Sequence, residues 1–206
     1  MEYVLSRKTN CTKIKIRVIE GVVQVSAPFS VSKKVIDEFV HEQEAWIKEQ
    51  MDKNPILKNN DIVELLGESF HLHFIDVPRC YVEKDQLYLF PNKELIQRFL
   101  KKNAKKYIDL RFEFFCEQLQ IHNISLQYGF YKSKWGSCTP SKHEICFNVN
   151  LIFMPLEFVD AIILHELAHL FHFNHSKDFY NLLCTWMPNY RQVLKENKRN
   201  PIPNLY

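Results

Sequence analysis

The segment from Pro155 to Phe173 constrains this chain more than any other. Ile162, Ile163, Leu164, Leu167, Ala168, Leu170 and Phe171 make it apolar nearly all round, yet it also carries His165, Glu166, His169 and His172. A helix apolar on every side is buried in a core or in a membrane, and this many ionisable groups in one stretch exclude hydrocarbon. The spacing therefore predicts a helix inside a protein core, with Pro155 suited to its first position. A His-Glu-His cluster buried without partners is costly, and a zinc ion with its water would compensate it.

Composition sets the frame for that helix. With 206 residues, 46% of them hydrophobic and sixteen Phe, the chain can build one compact domain or two small ones. The four glycines, Gly21, Gly67, Gly129 and Gly136, lie too far apart for a glycine-rich phosphate loop, which excludes Rossmann and P-loop nucleotide binding. A net charge of +3 falls short of the basic stripe of a dedicated nucleic-acid binder and allows only weak contact of that kind. Cys11, Cys80, Cys116, Cys138, Cys146 and Cys184 are scattered with no CxxC pair, so they are expected as reduced, mostly buried thiols. Glu2, Arg7, Lys8 and Lys13 leave no room for the apolar middle of a secretory signal, and the expected compartment is cytoplasmic.

Along the first 90 residues the apolar period is two. Ile14, Ile16 and Val18 alternate with Lys13, Lys15 and Arg17, Glu20-Gly21 turns the chain, and Val23, Val25 and Ala27 return. A helix with an inward stripe of Ile36, Phe39, Val40, Trp46, Ile47 and Met51 follows, capped by Ser30 or Ser32 and ending near Asn54-Pro55. Two hairpins are expected next, one over 62–75 turning at Gly67-Glu68-Ser69 and one over 81–90 turning at Lys84-Asp85; His71 and His73 should share a solvent-facing strand face. From Asn92 the period changes to three or four, through Ile96, Leu100, Ala104, Tyr107, Ile108, Phe112, Phe115 and Leu119, marking one long helix. Strands are expected at 124–131 and 144–151, around the segment Lys132 to Cys138, and a loose tail from Lys195. The fold class is α+β, with a strand-rich portion over 1–90 and a second portion over 91–206 that contains the Pro155 to Phe173 helix.

The chemistry concentrates in His165-Glu166-Leu167-Ala168-His169, an H-E-x-x-H pattern in which two imidazoles one helical turn apart can reach one metal. Glu166 is rotated about 100° from His165, beside the metal, where it can take a proton from the attacking water. A catalytic zinc needs a third protein ligand and an open position. His172 and His175 compete for that role. His172 lies about 10.5 Å along the axis from His165, too far to share an ion. His175 does better if Asn174 adopts a left-handed helix-ending conformation that swings the chain back. Ser176 then caps a further helix bearing Phe179, Leu182, Leu183 and Trp186.

Lys134-Trp-Gly-Ser-Cys138, Asn148 to Pro155, HELAHLFHFNHSKDFY and Met187-Pro188-Asn189-Tyr190 resemble the YgjP-like metallopeptidase domain, related to the SprT-like and minimal gluzincin group. Arg7-Lys8-Thr9, Ala27-Pro28 and Trp46-Ile47 extend the resemblance over essentially the whole chain. It implies a zincin-like portion over 91–206, one catalytic Zn2+ held by His165, His169 and His175, with Glu166 as general base, and a protein or peptide substrate. The family usually has Arg where this chain has Lys134, whose ammonium lacks the fork for bidentate contact.

Smaller features are read against the ordinary roles of such residues. Cys138, His143 and Cys146 lack a fourth ligand for a second zinc site and read as structural. Tyr131 and Tyr190 are candidates for an oxyanion contact but are more simply core. The expected activity is a zinc-dependent metallopeptidase, with the substrate adding as a strand beside Glu144 to Leu151. The alternatives are a metal-dependent nucleotide phosphohydrolase, a nucleoside triphosphate pyrophosphatase using Lys132, Lys134 and Lys142 for phosphate, and a binding module with structural zinc.

Overall fold

The computed structural model describes residues 2–19, 21–53, 57–197, 202, 203 and 205. Two compact units emerge, residues 1–57 with 201–206 and residues 58–200. In the first, β1 (Val4–Arg7), β2 (Lys15–Ile19) and β3 (Val22–Ala27) form a sheet ordered β1-β3-β2, β1 running parallel and β2 antiparallel to β3. Alternation puts Ile16 opposite Val25 and Val18 opposite Val23. Strand β1 is too short to show a period of its own. Gly21 turns the chain at φ 72, while Glu20 of the expected turn lies outside the described residues.

The single helix expected next is two, α1 (Lys33–Glu42) and α2 (Glu44–Lys53), separated at Gln43, whose ψ of 8 departs from the helical value. Ser32 caps α1, its Oγ accepting from the Val35 N–H. The break changes the phase of α2: Ile47 is buried and Trp46, expected on the inward stripe, is 40% exposed. The expected stop at Asn54-Pro55 lies outside the described residues. Val23, Val25, Ala27, Ile36, Val40 and Ile47 form this unit's core.

The second unit opens with β4 (Ile62–Leu65), β5 (Glu68–Phe74), β6 (Tyr81–Glu83) and β7 (Gln86–Leu89), two hairpins joined through parallel β5 and β7. The first hairpin turns at Leu66-Gly67 rather than 67–69, because two positive-φ residues (54 and 85) match the twist of the flanking strands. The Leu66 N–H donates to the Ile152 carbonyl at 2.6 Å. This ties the sheet to the 3-10 turn Val149–Phe153, and both lie in the unit of residues 58–200. His73 is half-buried rather than solvent-facing, hydrogen-bonded through Nε2 to Gln86 Oε1 at 2.6 Å.

Helix α3 (Lys93–Leu119) is capped by Asn92, whose side chain accepts from the Leu95 N–H, and buries Ile96, Leu100, Ala104, Ile108 and Phe112 at every fourth position. Strands β8 (Ser125–Gly129), β9 (Gly136–Thr139) and β10 (Glu144–Asn148) form a sheet ordered β8-β10-β9. The Trp-Gly-Ser-Cys segment thus supplies a strand itself. Strand β10, expected as the edge for a substrate, pairs on both sides because Ile145 and Phe147 are core residues; β8 and β9 are the edges.

Helices α4 (Leu156–Ala168), α5 (Lys177–Trp186) and α6 (Tyr190–Asn197) complete the unit. Arg111 of α3 grips Asp160 of α4 through Nε and Nη2 at 2.8 and 2.7 Å. Helix α6 runs into the stretch expected as a loose tail, and within that stretch Leu205 is buried. The six cysteines are free thiols. Among the described residues no helix is long and apolar enough to cross a membrane.

Candidate metal centre

Nine of the thirteen residues of α4 are buried, Glu166 among them, as an all-apolar helix requires. The helix ends at Ala168 rather than at Phe173. Leu170 and Phe171 donate to the carbonyls of Leu167 and Ala168 at 3.1 Å each, tightening the last turn and carrying the chain off the axis. Asn174 keeps a negative φ: no left-handed residue makes this reversal. His175 then precedes the cap Ser176, whose Oγ accepts from the Phe179 N–H at 3.3 Å at the start of α5.

This path gathers three of the expected residues. The ring centroids of His165, His169 and His175 stand 4.9, 5.0 and 4.8 Å apart in pairs, and one nitrogen from each lies within 4.8 Å of the others. Among the described residues this is the one such group of three His, Cys, Asp or Glu side chains. Cys138 and Cys146 sit on neighbouring strands but face opposite ways, Cys138 opposing Ile145 and Cys146 opposing Ser137. His172 contributes its carbonyl instead of its ring. His169 Nδ1 donates to that carbonyl at 3.0 Å; a carbonyl only accepts, so Nδ1 carries the proton and the Nε2 lone pair is left free.

Nδ1 of His165 is engaged by the Tyr190 hydroxyl at 2.6 Å, and its Nε2 faces Nε2 of His175 at 3.0 Å. The Phe179 ring backs all three imidazoles, 5.0, 4.6 and 4.9 Å from His165, His169 and His175. Burial, then the neighbouring His169 and His175, pushes the His165 pKa down to about 3; burial also lowers that of His169. Both rings are therefore neutral near pH 7. Three converging imidazoles, with the outward Nδ1 atoms of His165 and His169 already engaged, fit a divalent cation of borderline softness such as zinc.

Glu166 lies beside this group, 5% exposed, with no hydrogen-bond partner among the described residues. Burial raises its pKa to about 7, and the Lys134 charge opposes the rise. Gly136 of β9 rides directly over it: a Cβ there would stand 2.6 Å from Oε1 and 2.8 Å from Cδ. Lys134 donates to Ser137 Oγ at 2.8 Å and lies over the Tyr131 ring. The loop carrying it is clamped by buried Asn148, whose Nδ2 donates to the carbonyls of Tyr131 and Lys134 at 2.8 Å each. Of the three lysines expected for phosphate contact, only Lys134 lines the clefts on either side of Glu166.

Tyr190, considered from sequence for an oxyanion, instead supports His165. Its position in α6, like that of Phe179 in α5, could not be read from spacing, since both contacts close over long chain separations. Gly136 had a local signal, being one of only four glycines in the chain; it opens strand β9.

A triad of imidazoles beside a buried carboxylate, under an open strand edge, is the arrangement of a metallohydrolase. The chain belongs to the YgjP-like metallopeptidase domain family, which matches residues 12–200. Membership makes it a hydrolase of the metallopeptidase kind and implies a metal ion and protein or peptide substrates. Among solved structures it is similar to the metallopeptidase zymogen of Pyrococcus abyssi abylysin, with 17% identity, 46% of this chain and 99% of that one covered, and a TM-score of 0.40. It is likewise similar to the zymogen of Methanocaldococcus jannaschii jannalysin, with 21% identity, 45% and 94% covered, and a TM-score of 0.41. No curated protein matches it.

Proposed function

We propose that the chain is a zinc-dependent peptidase in which His165, His169 and His175 hold one zinc ion and Glu166 is the general base. The observation that carries this reading is the convergence of three imidazoles beside a buried carboxylate that has no hydrogen-bond partner among the described residues. The ion, when bound, supplies a Lewis acid for the scissile carbonyl and makes the attacking water more acidic.

Each protein group then has a physical task. Tyr190 and the His172 carbonyl orient His165 and His169 through their Nδ1 atoms, as outer partners of metal ligands commonly do. Glu166, with a proton affinity raised by burial to near neutrality, takes the proton of the attacking water and delivers it to the leaving nitrogen. The free edge of β9 offers main-chain donors and acceptors to an extended substrate, which would lie over Glu166 because Gly136 brings the strand that close. Main-chain pairing of this kind suits a peptide and has no counterpart in a nucleotide.

Metal analysis and cleavage of an unfolded protein test the assignment together. Wild type should carry one equivalent of zinc, and His175→Ala should lose it. Glu166→Gln should keep the metal while cleavage falls by about 10²- to 10⁴-fold. A His175→Ala protein with a full equivalent of zinc would remove His175 from the ligand set. Release of phosphate or pyrophosphate from nucleoside triphosphates, without protein cleavage, would favour the phosphohydrolase.

A further inference from the structure

We propose that the cleft between β6 and the first half of α3, with the lysines that continue from it along the helix, binds single-stranded nucleic acid. This cleft shares no residue with the two beside Glu166. Residues 93–106 carry six lysines and arginines against one carboxylate, Glu94, while the net charge of all 206 residues is only +3. The overall figure averages this concentration away. Arg98, Lys101, Lys102, Lys105 and Lys106 are exposed, and of these only Lys105 has an ion pair among the described residues, with Asp109 at 2.6 Å. Positions 98, 102 and 106 recur every four residues, so their side chains make one ridge rising about 6 Å per step. Like charges four residues apart weaken a helix, and a bound polyanion relieves that repulsion.

The cleft, of about 400 Å³, joins these cations to aromatic surface. Tyr81, Val82, Leu95 and Phe99 line it beside Arg98 and Lys102, and among the described residues no carboxylate does. Next to it the exposed Arg79 guanidinium lies over the Tyr81 ring, 4.7 Å from the centroid. Tyr81 stacks in turn on Tyr88 at 4.7 Å, and Tyr88 on His73 at 5.1 Å. This row across three strands holds in place the ring that the arginine covers. Planar guanidinium and aromatic groups stack on bases of any sequence, while the phosphates follow the cations. A base inside a duplex has both faces taken by its neighbours, so the occupant is a single strand. An acidic polypeptide would match the cations but brings no planar group at each repeat for Arg79, Tyr81 and Phe99.

The test titrates the full chain into labelled oligothymidylate and oligouridylate of about 15 nucleotides, read by fluorescence anisotropy, with a duplex and a poly-glutamate peptide of equal length as competitors. The single strands should bind, and the logarithm of the association constant should fall with the logarithm of salt concentration at a slope of about −3, as about four contacted phosphates require. Arg98→Gln combined with Lys102→Gln should weaken binding about 10-fold or more at about 0.1 M salt and flatten the slope by about 1.4. Lys33→Gln combined with Lys34→Gln, the same loss of charge on exposed α1, should leave the affinity within about 2-fold. Tyr81→Leu should lower the affinity about 10-fold with the slope kept, because stacking releases no counterions. Binding of only one of the two strands would uphold the site and assign it to DNA or to RNA. A duplex or poly-glutamate that competes as well as the single strands would make the ridge a general anion surface and overturn the proposal. Equal losses in the two double variants, or no binding of either strand at about 0.05 M salt, would overturn it as well.

Discussion

Helices α3 and α4 lie side by side, joined by Arg111 and Asp160, and treat their polar residues in opposite ways. The longer one spans twenty-seven residues and buries five, so its lysines and glutamates are solvated and their identities are loosely constrained. The shorter one buries nine of thirteen, and water reaches little of it. A polar group on α4 must therefore find a partner in the protein or do without. Asp160 has Arg111, His165 has Tyr190 and His175, and His169, at the C-terminal cap, has the His172 carbonyl. Glu166 alone of these lacks a hydrogen-bond partner among the described residues. An unsatisfied buried carboxylate costs stability whenever it is ionised.

Removing that carboxylate is the largest expected effect on the metal-free protein. The folded-state pKa of Glu166 is raised from 4.5 to about 7, so the native state holds an extra proton in this interval. The stability this confers is full below about pH 4.5 and is lost as pH rises through 7. Chemical denaturation at about pH 8 should show metal-free Glu166→Gln more stable than wild type by about 2–3 kcal/mol, with the gap closing near pH 4. The opposite trend from His165, which resists protonation when folded, is common to both proteins and drops out. A gap independent of pH would mean that Glu166 is already satisfied, and the contrast between the helices would fail.

Gly136→Ala probes the same carboxylate from above. The new methyl group must displace the Glu166 side chain, and cleavage should fall by about 10²-fold with zinc content unchanged. Unaltered turnover would show that the carboxylate has room to move. Tyr190→Phe removes the hydroxyl from Nδ1 of His165 without opening a cavity, and competition with a chelator should show zinc affinity reduced by about 10-fold. Equal affinity would make the tyrosine a packing residue only. The smallest effect sharpens the comparison directly. Arg111→Met leaves Asp160 of α4 unpaired and should cost about 1–2 kcal/mol in urea unfolding, whereas Lys105→Ala breaks the exposed pair with Asp109 on α3 for less than about 0.5 kcal/mol. Equal costs would show that burial does not separate the two helices.

What the chain alone determined is what depends on neighbours a few residues away. The alternation of Ile16 and Val18, the four-residue spacing from Ile96 to Phe112, and the pairing of His165 with His169 on one helical face all follow from backbone periodicity. Expectations that needed the path of the chain fared differently. The reversal after α4 comes from tightened turns and not from Asn174, α2 is out of phase with α1, and β10 sits between β8 and β9. Those outcomes depend on which surfaces meet, and the same local pattern is compatible with several meetings. Only the tertiary structure decided that Phe179 backs the three imidazoles, that the Tyr190 hydroxyl reaches His165, and that Gly136 covers Glu166. Apart from the Phe179–His175 contact, four residues apart, each joins segments ten or more residues apart, and contacts of that kind are selected by packing and burial across the whole unit, which no short window of sequence contains.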